Sequence, residues 1–246
     1  MQTLFFILVI GYLTGLLGFL PGILMGEAVE KLGRRFQGPL MGFTGGLLIA
    51  FVCFEMLPKA FETSGLYVGV AGILLGVLLC AYMELRIPAL ATYMHIEANS
   101  AYIKTGLLLA LGVGLHNIPE GMAVGSLLNL SPQSGLRMAL VITIHCIPEA
   151  VAVSVPMIKG GMPPLALCKF VFIMALPMCI GTVSGALLSQ LSPLFVTVCL
   201  GFSGGVMLYM TCGEVLPGSK DIWNGRLTSV LAIIGFVVGV IVTAGI

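Results

Sequence analysis

Eight long apolar stretches, separated by short polar breaks, dominate this sequence of 246 residues. A membrane-spanning α-helix needs about 20 predominantly apolar residues, and each stretch is long enough to supply them. Asp, Glu, Lys and Arg make up only 9% of the chain, against roughly 25% in an ordinary soluble domain. Because so few charged side chains could not cover a surface that faces water, the sequence predicts an all-α integral membrane protein lying in the lipid bilayer.

The polar breaks, which are rich in charge, proline and glycine, mark the ends of eight predicted transmembrane helices, numbered span 1 to span 8 in chain order. We expect a single transmembrane domain over residues 1–246. Its spans lie near residues 3–25, 39–58, 66–86, 104–129, 136–158, 164–189, 194–216 and 227–246.

Basic residues are unevenly distributed between the two sides of the predicted bundle. Of the eleven Lys and Arg residues, only Lys59 and Arg137 follow even-numbered spans. The other nine follow spans 1, 3, 5 and 7, and cytoplasmic loops carry such an excess. We therefore expect the odd loops in the cytoplasm and both termini on the extracytoplasmic side. The formal net charge of +1 implies no nucleic-acid partner.

Two pairs of segments resemble each other at a distance along the chain. The stretch Gly45–Pro58 in span 2 matches Gly204–Pro217 in span 7 at Gly, Gly, Cys, Glu, Leu and Pro without a gap. A weaker similarity relates Leu20-Pro21 in span 1 to Leu176-Pro177 in span 6. Because the members of each pair cross the membrane in opposite directions, we expect an inverted repeat of three spans on each side of a central pair, a 3+2+3 arrangement typical of secondary transporters.

The central pair, spans 4 and 5, carries the strongest chemical signal. His116 and Glu120 are four residues apart and so share one helix face, and His145 and Glu149 repeat that spacing on the next helix. Ionisable residues inside a membrane span are rare and usually functional. Two imidazoles and two carboxylates form a nitrogen and oxygen site suited to Zn²⁺, with Fe²⁺ and Mn²⁺ as alternatives.

Both motifs contain further groups that favour an ion path. Pro119 and Pro148 lack an N–H, so each frees a carbonyl one turn earlier in its helix. A freed carbonyl in lipid must find a partner or line a polar cavity. Asn117 adds an amide oxygen beside His116, and Cys146 adds a thiol at the equivalent place in span 5.

Other polar and small residues allow simpler interpretations. Glu55 and Glu214 are predicted at opposite mouths of the bundle, where they either attract cations or hold interfacial networks together. Cys53 and Cys212 are interpreted as packing residues, with soft-metal ligation as the alternative. Six glycines are expected to permit close helix packing: Gly42, Gly45, Gly46, Gly201, Gly204 and Gly205.

Two rival classes of protein use similar residues. A His/Glu metal site could activate water in an intramembrane metal-dependent hydrolase, but the HExxH motif of zinc proteases is absent from the sequence. A haem protein could use His116 and His145 as axial ligands, which leaves both glutamates without a role.

The motifs HNIPEGMAVG in span 4 and HCIPEAVAVSVP in span 5 resemble the paired signatures of the ZIP (Zrt/Irt-like) family of divalent metal transporters. The resemblance covers the whole chain, including the Glu-Leu-Pro-type ends of spans 2 and 7. It implies a transporter rather than an enzyme, with no resident cofactor, which takes up Zn²⁺, often with Fe²⁺, Mn²⁺ or Cd²⁺, into the cytoplasm. It also implies a homodimer, a site between spans 2, 4, 5 and 7, and an elevator-like motion.

By motif position, the resemblance implies as metal ligands His116, Asn117, Glu120, His145 and Glu149. The chain departs from the family pattern at three places. Cys146 stands where Asn or Asp is frequent, Ala150 replaces a usual Gly, and Leu176 stands where bacterial relatives have a Glu. We therefore expect one well-formed site and a softer, weaker second site that includes Cys146.

The loop between spans 3 and 4 gives no sign of a metal-sensing segment. It contains only His95, which with Glu97 is interpreted as a solvated interfacial pair. The compact chain favours a multi-pass protein of a bacterial cytoplasmic membrane.

Overall fold

The computed structural model describes residues 2–93, 101–130, 132–188 and 193–245, and these residues are helical apart from short turns. Eight helical spans in the described part are long and apolar enough to cross a membrane, which confirms the predicted all-α fold with eight spans. The His145 side chain lies outside what the structure describes, although the backbone there is helical. His95 and Glu97 also lie outside the described residues.

Six spans are single α-helices, and two contain a π-helical turn. The single helices are Gln2–Lys31 (span 1), Leu66–Tyr93 (span 3), Ala101–Leu130 (span 4), Pro132–Lys159 (span 5), Pro164–Leu187 (span 6) and Arg226–Gly245 (span 8). Span 2 consists of Arg34–Phe51, the π-turn Val52–Met56 and Leu57–Ser64, and span 7 of Pro193–Met210, the π-turn Thr211–Val215 and Leu216–Ile222.

Several helices extend one or two turns beyond the apolar segments predicted from the sequence. Span 1 continues to Lys31 and span 3 to Tyr93, because a helix satisfies its own backbone hydrogen bonds whether its side chains are apolar or charged. Spans 5 and 7 begin earlier than predicted, at Pro132 and Pro193. Proline is favoured in the first turn of a helix, where its missing N–H has no partner to lose.

The spans form two groups of packed helices. Bundle A consists of spans 1, 4, 5 and 6, in which span 1 packs on spans 5 and 6 and span 4 packs on spans 5 and 6. Bundle B consists of spans 2, 3, 7 and 8, in which span 2 packs on span 8, span 3 on span 7, and spans 2 and 7 on each other. The bundles meet where span 4 contacts span 7 and where span 5 contacts span 2.

The six glycines that the sequence singled out all lie against a neighbouring part of bundle B, four of them against backbone and two against side chains. A Cβ atom added at Gly42 would lie 2.7 Å from the carbonyl oxygen of Thr228 in span 8, and one at Gly46 would collide with that of Ala232. In the other half, a Cβ at Gly201 or Gly205 would collide with a carbonyl oxygen of span 3, at Gly69 and Ile73 respectively. Gly45 and Gly204 leave room for leucine side chains, those of Leu216 and Leu57.

The two π-turns occupy corresponding places in the matched stretches of spans 2 and 7. In each turn a backbone N–H donates to the carbonyl five residues earlier, from Leu57 to Val52 and from Leu216 to Thr211. The next residue is a proline, which cannot donate to its own i−4 carbonyl and therefore accompanies the change of hydrogen-bond pattern. Single π-turns of this kind occur frequently at functional sites.

Candidate metal site

The central polar contact joins the two predicted ligand motifs. Spans 4 and 5 continue as unbroken helices through Pro119 and Pro148, respectively, and carry His116 and Glu149 to facing positions. The Nε2 atom of His116 lies 2.8 Å from a carboxylate oxygen of Glu149, and the two side chains are only 1% and 2% exposed. The structure thus brings one imidazole and one carboxylate together inside the protein, where each reduces the cost of burying the other.

Two further predicted ligands are buried in span 4 beside this pair. Glu120 is 4% exposed and lies one turn beyond His116, and Asn117 is fully buried. Among the described residues, neither the oxygen nor the nitrogen of the Asn117 amide has a hydrogen-bond partner. Because a buried amide without a partner is costly, this geometry fits a side chain that binds a transient ligand.

Cys146 occupies the corresponding place in span 5. It is fully buried, and its thiol lies close to the carboxylates of Glu149 and Glu120. A thiol among carboxylates adds a softer donor to an oxygen-rich environment.

The fourth member of the doubled motif, His145, has a side chain outside the described part of the structure. Among the side chains that are described, no three or more His, Cys, Asp or Glu residues form a metal-ligand group. The complete set of His116, Glu120, His145 and Glu149 therefore stays a prediction.

Three cavities lie along the seam between the bundles. The Glu55 cavity has a volume of about 20 Å³ and is lined by Glu55, Lys59 and Glu120. The central cavity, also about 20 Å³, is lined by His116 and Glu149. A volume of this size holds about one water molecule.

The third cavity, the Glu214 cavity, is much larger, at about 160 Å³. Glu214 lines it and accepts a hydrogen bond of 3.1 Å from the hydroxyl of Thr105. Leu109 and Val215 line both this cavity and the central one, so a thin apolar partition separates them. The buried His/Glu pair therefore lies between a narrow cavity at one end and a wide cavity at the other.

Sequence reasoning missed a contact between the bundles at the ligand motif. The hydroxyl of Ser203 in span 7, which is fully buried, donates to the carbonyl oxygen of His116 at 3.2 Å. Thr44 holds the matching place in span 2, one residue before its Gly-Gly pair, but its hydroxyl donates to Leu40 of its own helix. The signal available in the sequence was a small hydroxyl residue before each Gly-Gly pair.

Two other expectations concerned residues outside the central motif. Cys53 and Cys212 are exposed at the protein surface, so their interpretation as packing residues is wrong. Each of them lies within the π-turn of its span. Leu176 is 47% exposed on span 6, as an apolar side chain facing lipid would be.

The glutamates at the ends of spans 2 and 7 have different partners. Glu55 forms an ion pair with Lys59, with 2.9 Å between the ammonium nitrogen and a carboxylate oxygen. Glu214 receives its hydrogen bond from a neutral hydroxyl. The Thr105 contact was not identified from the sequence, because an interaction across spans depends on which helices are neighbours. The pair of Glu55 and Lys59 has the spacing of four residues that the sequence already shows, but it was not singled out.

Comparison with known proteins agrees with the motifs. The chain matches the family model "ZIP Zinc transporter" over residues 92–246. It is 30% identical to the zinc transporter ZupT of Streptococcus mutans, over 94% of both chains, and 30% identical to that of Chlorobium limicola, also over 94% of both. It is 28% identical to ZupT of an Enterobacter species over 87% of both chains. With eight apolar spans and the doubled motif, the chain belongs to the ZIP family of metal-ion transporters.

Proposed function

We propose that the protein carries divalent transition-metal cations into the cytoplasm, with Zn²⁺ as the principal substrate and Fe²⁺, Mn²⁺ and Cd²⁺ as further candidates. The ion binds between spans 4 and 5 at His116, Glu120, His145 and Glu149, and Asn117 and Cys146 extend the site. The observation that carries this proposal is the buried pair of His116 and Glu149 between cavities that extend toward opposite ends of the bundle.

The site must offset the loss of the ion's hydration shell. Two carboxylates neutralise a divalent charge, which makes a dehydrated ion tolerable in a low-dielectric environment. In this structure His116 Nε2 and one oxygen of Glu149 bond to each other. Binding therefore requires these two atoms to separate and turn to the metal, and the imidazole nitrogen that coordinates must carry no proton.

The three cavities suggest the route. An ion arriving through the Glu55 cavity meets Glu120 on its lining and then reaches His116 and Glu149 at the central cavity. From there only the partition of Leu109 and Val215 separates it from the Glu214 cavity. The wide Glu214 cavity corresponds to a conformation that is more open on that side.

The proposed topology places the Glu214 cavity toward the cytoplasm and both termini outside, because nine of the eleven basic residues then lie in cytoplasmic loops. Its 3+2+3 inverted repeat is supported by the packing. Span 2 packs on span 8 as span 7 packs on span 3, and span 1 packs on span 5 as span 6 packs on span 4.

The glycine contacts support the same repeat at the level of residues. One constant spacing in residue numbers relates Gly42 to Gly201 and Gly46 to Gly205. The same spacing relates the residues of span 3 that lie against Gly201 and Gly205 to the residues of span 8 that lie against Gly42 and Gly46. The same spacing relates Gly22 in span 1 to Gly181 in span 6, whose added Cβ atoms would meet the carbonyls of Ile147 and Ile118. This register for spans 1 and 6 is three residues away from the Leu-Pro similarity found in the sequence.

The proposed membrane location is supported by the relatives, and the proposed oligomeric state by the family resemblance. The three ZupT proteins compared above come from bacteria, so we place the protein in a bacterial cytoplasmic membrane. We further propose a homodimer whose bundles A and B move past one another in an elevator-like motion.

The decisive experiment is uptake into proteoliposomes that contain a zinc-sensitive dye. We expect zinc-dependent signal with the wild-type protein, and none with folded Glu120→Ala or Glu149→Ala variants. Undiminished uptake in both variants would contradict the site. Metal-dependent peptide cleavage without uptake would instead support the intramembrane hydrolase, the alternative that membership of a transporter family does not favour.

A further inference from the structure

The side chain of Lys59 bridges two spans at the rim of the Glu55 cavity. Its ammonium nitrogen lies 2.9 Å from a carboxylate oxygen of Glu55, four residues earlier in span 2. The same nitrogen lies 3.9 Å from the sulfur of Met138 in span 5. Lys59 therefore reaches from bundle B to bundle A at the Glu55 cavity, which it lines.

The position of Lys59 has a consequence for any cation that uses this cavity. Glu120, a proposed ligand, lines the same cavity. A divalent ion that approaches Glu120 from this end must pass the positive charge of Lys59, and the negative charge of Glu55 is already compensated by that ammonium. Because low-dielectric walls strengthen such interactions, one lysine here strongly opposes the arrival of cations.

The other end of the path differs: among the described residues no lysine forms an ion pair with Glu214, although the charge of Lys104 acts on it from a greater distance. The residue four positions after Glu214 is Gly218, and a Cβ atom added there would meet nothing within 4 Å. The Glu214 cavity is also lined by Asp221 and by Lys159, whose ammonium lies over the ring of Tyr102, 5.8 Å from its centre. The matched ends of spans 2 and 7 thus differ in whether the mouth glutamate is bound to an ammonium group.

We propose that Lys59 is a charge gate of the metal path. While it is bound to Glu55, it narrows the Glu55 cavity and repels cations; when it swings away, Glu55 becomes an attractive group for the arriving ion. The Lys59 side chain is 47% exposed, and exposed ion pairs between residues four apart are weak, so the gate opens readily. This inference rests on the proposed function for its role in uptake.

The first test measures zinc uptake by Lys59→Met at low ionic strength. We expect the apparent KM to fall about three- to tenfold, since removal of a repelling charge raises the rate of arrival. The difference should shrink at about 1 M salt, where the Debye length is about 3 Å, and Lys59→Arg should behave like the wild type. The matched control is Lys31→Met, which breaks the ion pair of Lys31 with Glu27 at the other end of the bundle and should leave the KM unchanged.

The second test does not depend on transport. Ile142 is 4% exposed and lines the Glu55 cavity, so Ile142→Cys reports access to it. We expect Lys59→Met to raise the labelling rate with a cationic methanethiosulfonate about threefold or more relative to a neutral one, after subtraction of the protein without the added cysteine. An unchanged ratio would overturn the gate. A wild-type protein that takes up no zinc would overturn the proposed function instead, and the labelling ratio would still decide the gate.

Discussion

The hydrogen bond between His116 and Glu149 lets two polar side chains remain buried. Each of its two atoms is also the atom that would coordinate a metal. On the proposed function, a metal ion must therefore replace a satisfied contact between two protein side chains. Binding has to supply more free energy than this hydrogen bond contributes.

Replacing Glu149 by Gln tests whether its charge, rather than its shape, is needed. Glu149→Gln keeps the volume and a hydrogen bond to His116, so we expect a melting temperature near that of the wild type. The loss of one negative charge at the site weakens the binding free energy of Zn²⁺ by about 3 kcal/mol, and we expect zinc uptake to fall by about two orders of magnitude. The exposed Glu62→Gln serves as the control. Uptake within twofold of the wild type would show that the carboxylate is dispensable.

Cys146→Asp tests the softer second site. The new carboxylate would lie beside those of Glu149 and Glu120, so it should raise the uptake of Mn²⁺ relative to Cd²⁺ by preferring harder ions. Three buried carboxylates repel each other without an ion, and we therefore expect divalent metal to stabilise this variant more than the wild type in thermal unfolding.

Cys146→Ser is the companion variant, because it removes the thiol without adding charge. It should lower Cd²⁺ uptake and leave the effect of metal on the melting temperature unchanged. If Cys146→Asp left the ratio of Mn²⁺ to Cd²⁺ uptake at its wild-type value, Cys146 would not belong to the metal path.

Local sequence patterns predicted the metal-ligand candidates of spans 4 and 5 because each of the two motifs lies within a single helix. The spacing of His116 and Glu120, and the rarity of charge around them, were enough to predict that they are buried together. The importance of Lys59, Thr105 and Ser203 was not recognised from the sequence. Thr105 and Ser203 each bond to a group on another span, and the effect of Lys59 depends on the shape of the Glu55 cavity, which the sequence does not reveal.

The ends of spans 2 and 7 show how helix geometry departed from the sequence pattern. The Leu-Pro pairs predicted the ends of these spans, yet the chain remains helical for another turn or two after Pro58 and Pro217. A proline near the start of a helical segment is well tolerated, and the π-turn before it absorbs the altered hydrogen bonding. The spacing of apolar side chains along the sequence does not show that one turn of a helix contains an extra residue, as a π-turn does.

The glycine contacts of span 7 give a prediction about stability. Gly205→Ala places a methyl group against the carbonyl of Ile73, so we expect a loss of about 1–3 kcal/mol in the free energy of unfolding through overpacking. Gly213→Ala is the matched change in the same span, where a Cβ meets nothing within 4 Å. It should be neutral or stabilising by up to about 1 kcal/mol, because alanine favours helix. Equal melting temperatures for the two variants in detergent would contradict the close contact.

Bundles A and B are joined differently from the helices within each of them. Inside bundle B, glycines bring backbones together, whereas the seam between the bundles contains the three cavities and side-chain contacts such as those of Ser203 with the His116 carbonyl and of Thr105 with Glu214. If the bundles slide during transport, a covalent link across the seam should stop it.

Gly112 in span 4 and Met210 in span 7 provide that link, since a Cβ at Gly112 would lie 3.0 Å from Cγ of Met210. We expect oxidation of the double variant Gly112→Cys, Met210→Cys to reduce zinc uptake at least about tenfold, and a reductant to restore it, because the disulfide holds Cα atoms within about 7 Å. The effect is measured as uptake before and after oxidation, beside the parent protein with its seven native cysteines.

A disulfide within bundle A is the control. Gly15 in span 1 faces Ala175 in span 6, with 3.2 Å between an added Cβ and that of Ala175. Oxidised Gly15→Cys, Ala175→Cys should transport like its reduced form. Full uptake by the oxidised Gly112→Cys, Met210→Cys protein would exclude relative motion of the bundles.

The unequal behaviour of Ser203 and Thr44 bears on the resting equilibrium of the carrier. With two identical inverted halves, the inward-open and outward-open states would be related by a two-fold rotation and would have equal free energy, each populated by half of the molecules. On the proposed repeat, every mismatch between the halves shifts that ratio, and about 1.4 kcal/mol changes it tenfold. Ser203 binds across the seam while Thr44 turns back to its own helix. On this proposal, the side to which the ion-free carrier opens is set by the positions at which its two halves differ, and Ser203 and Thr44 are one such pair.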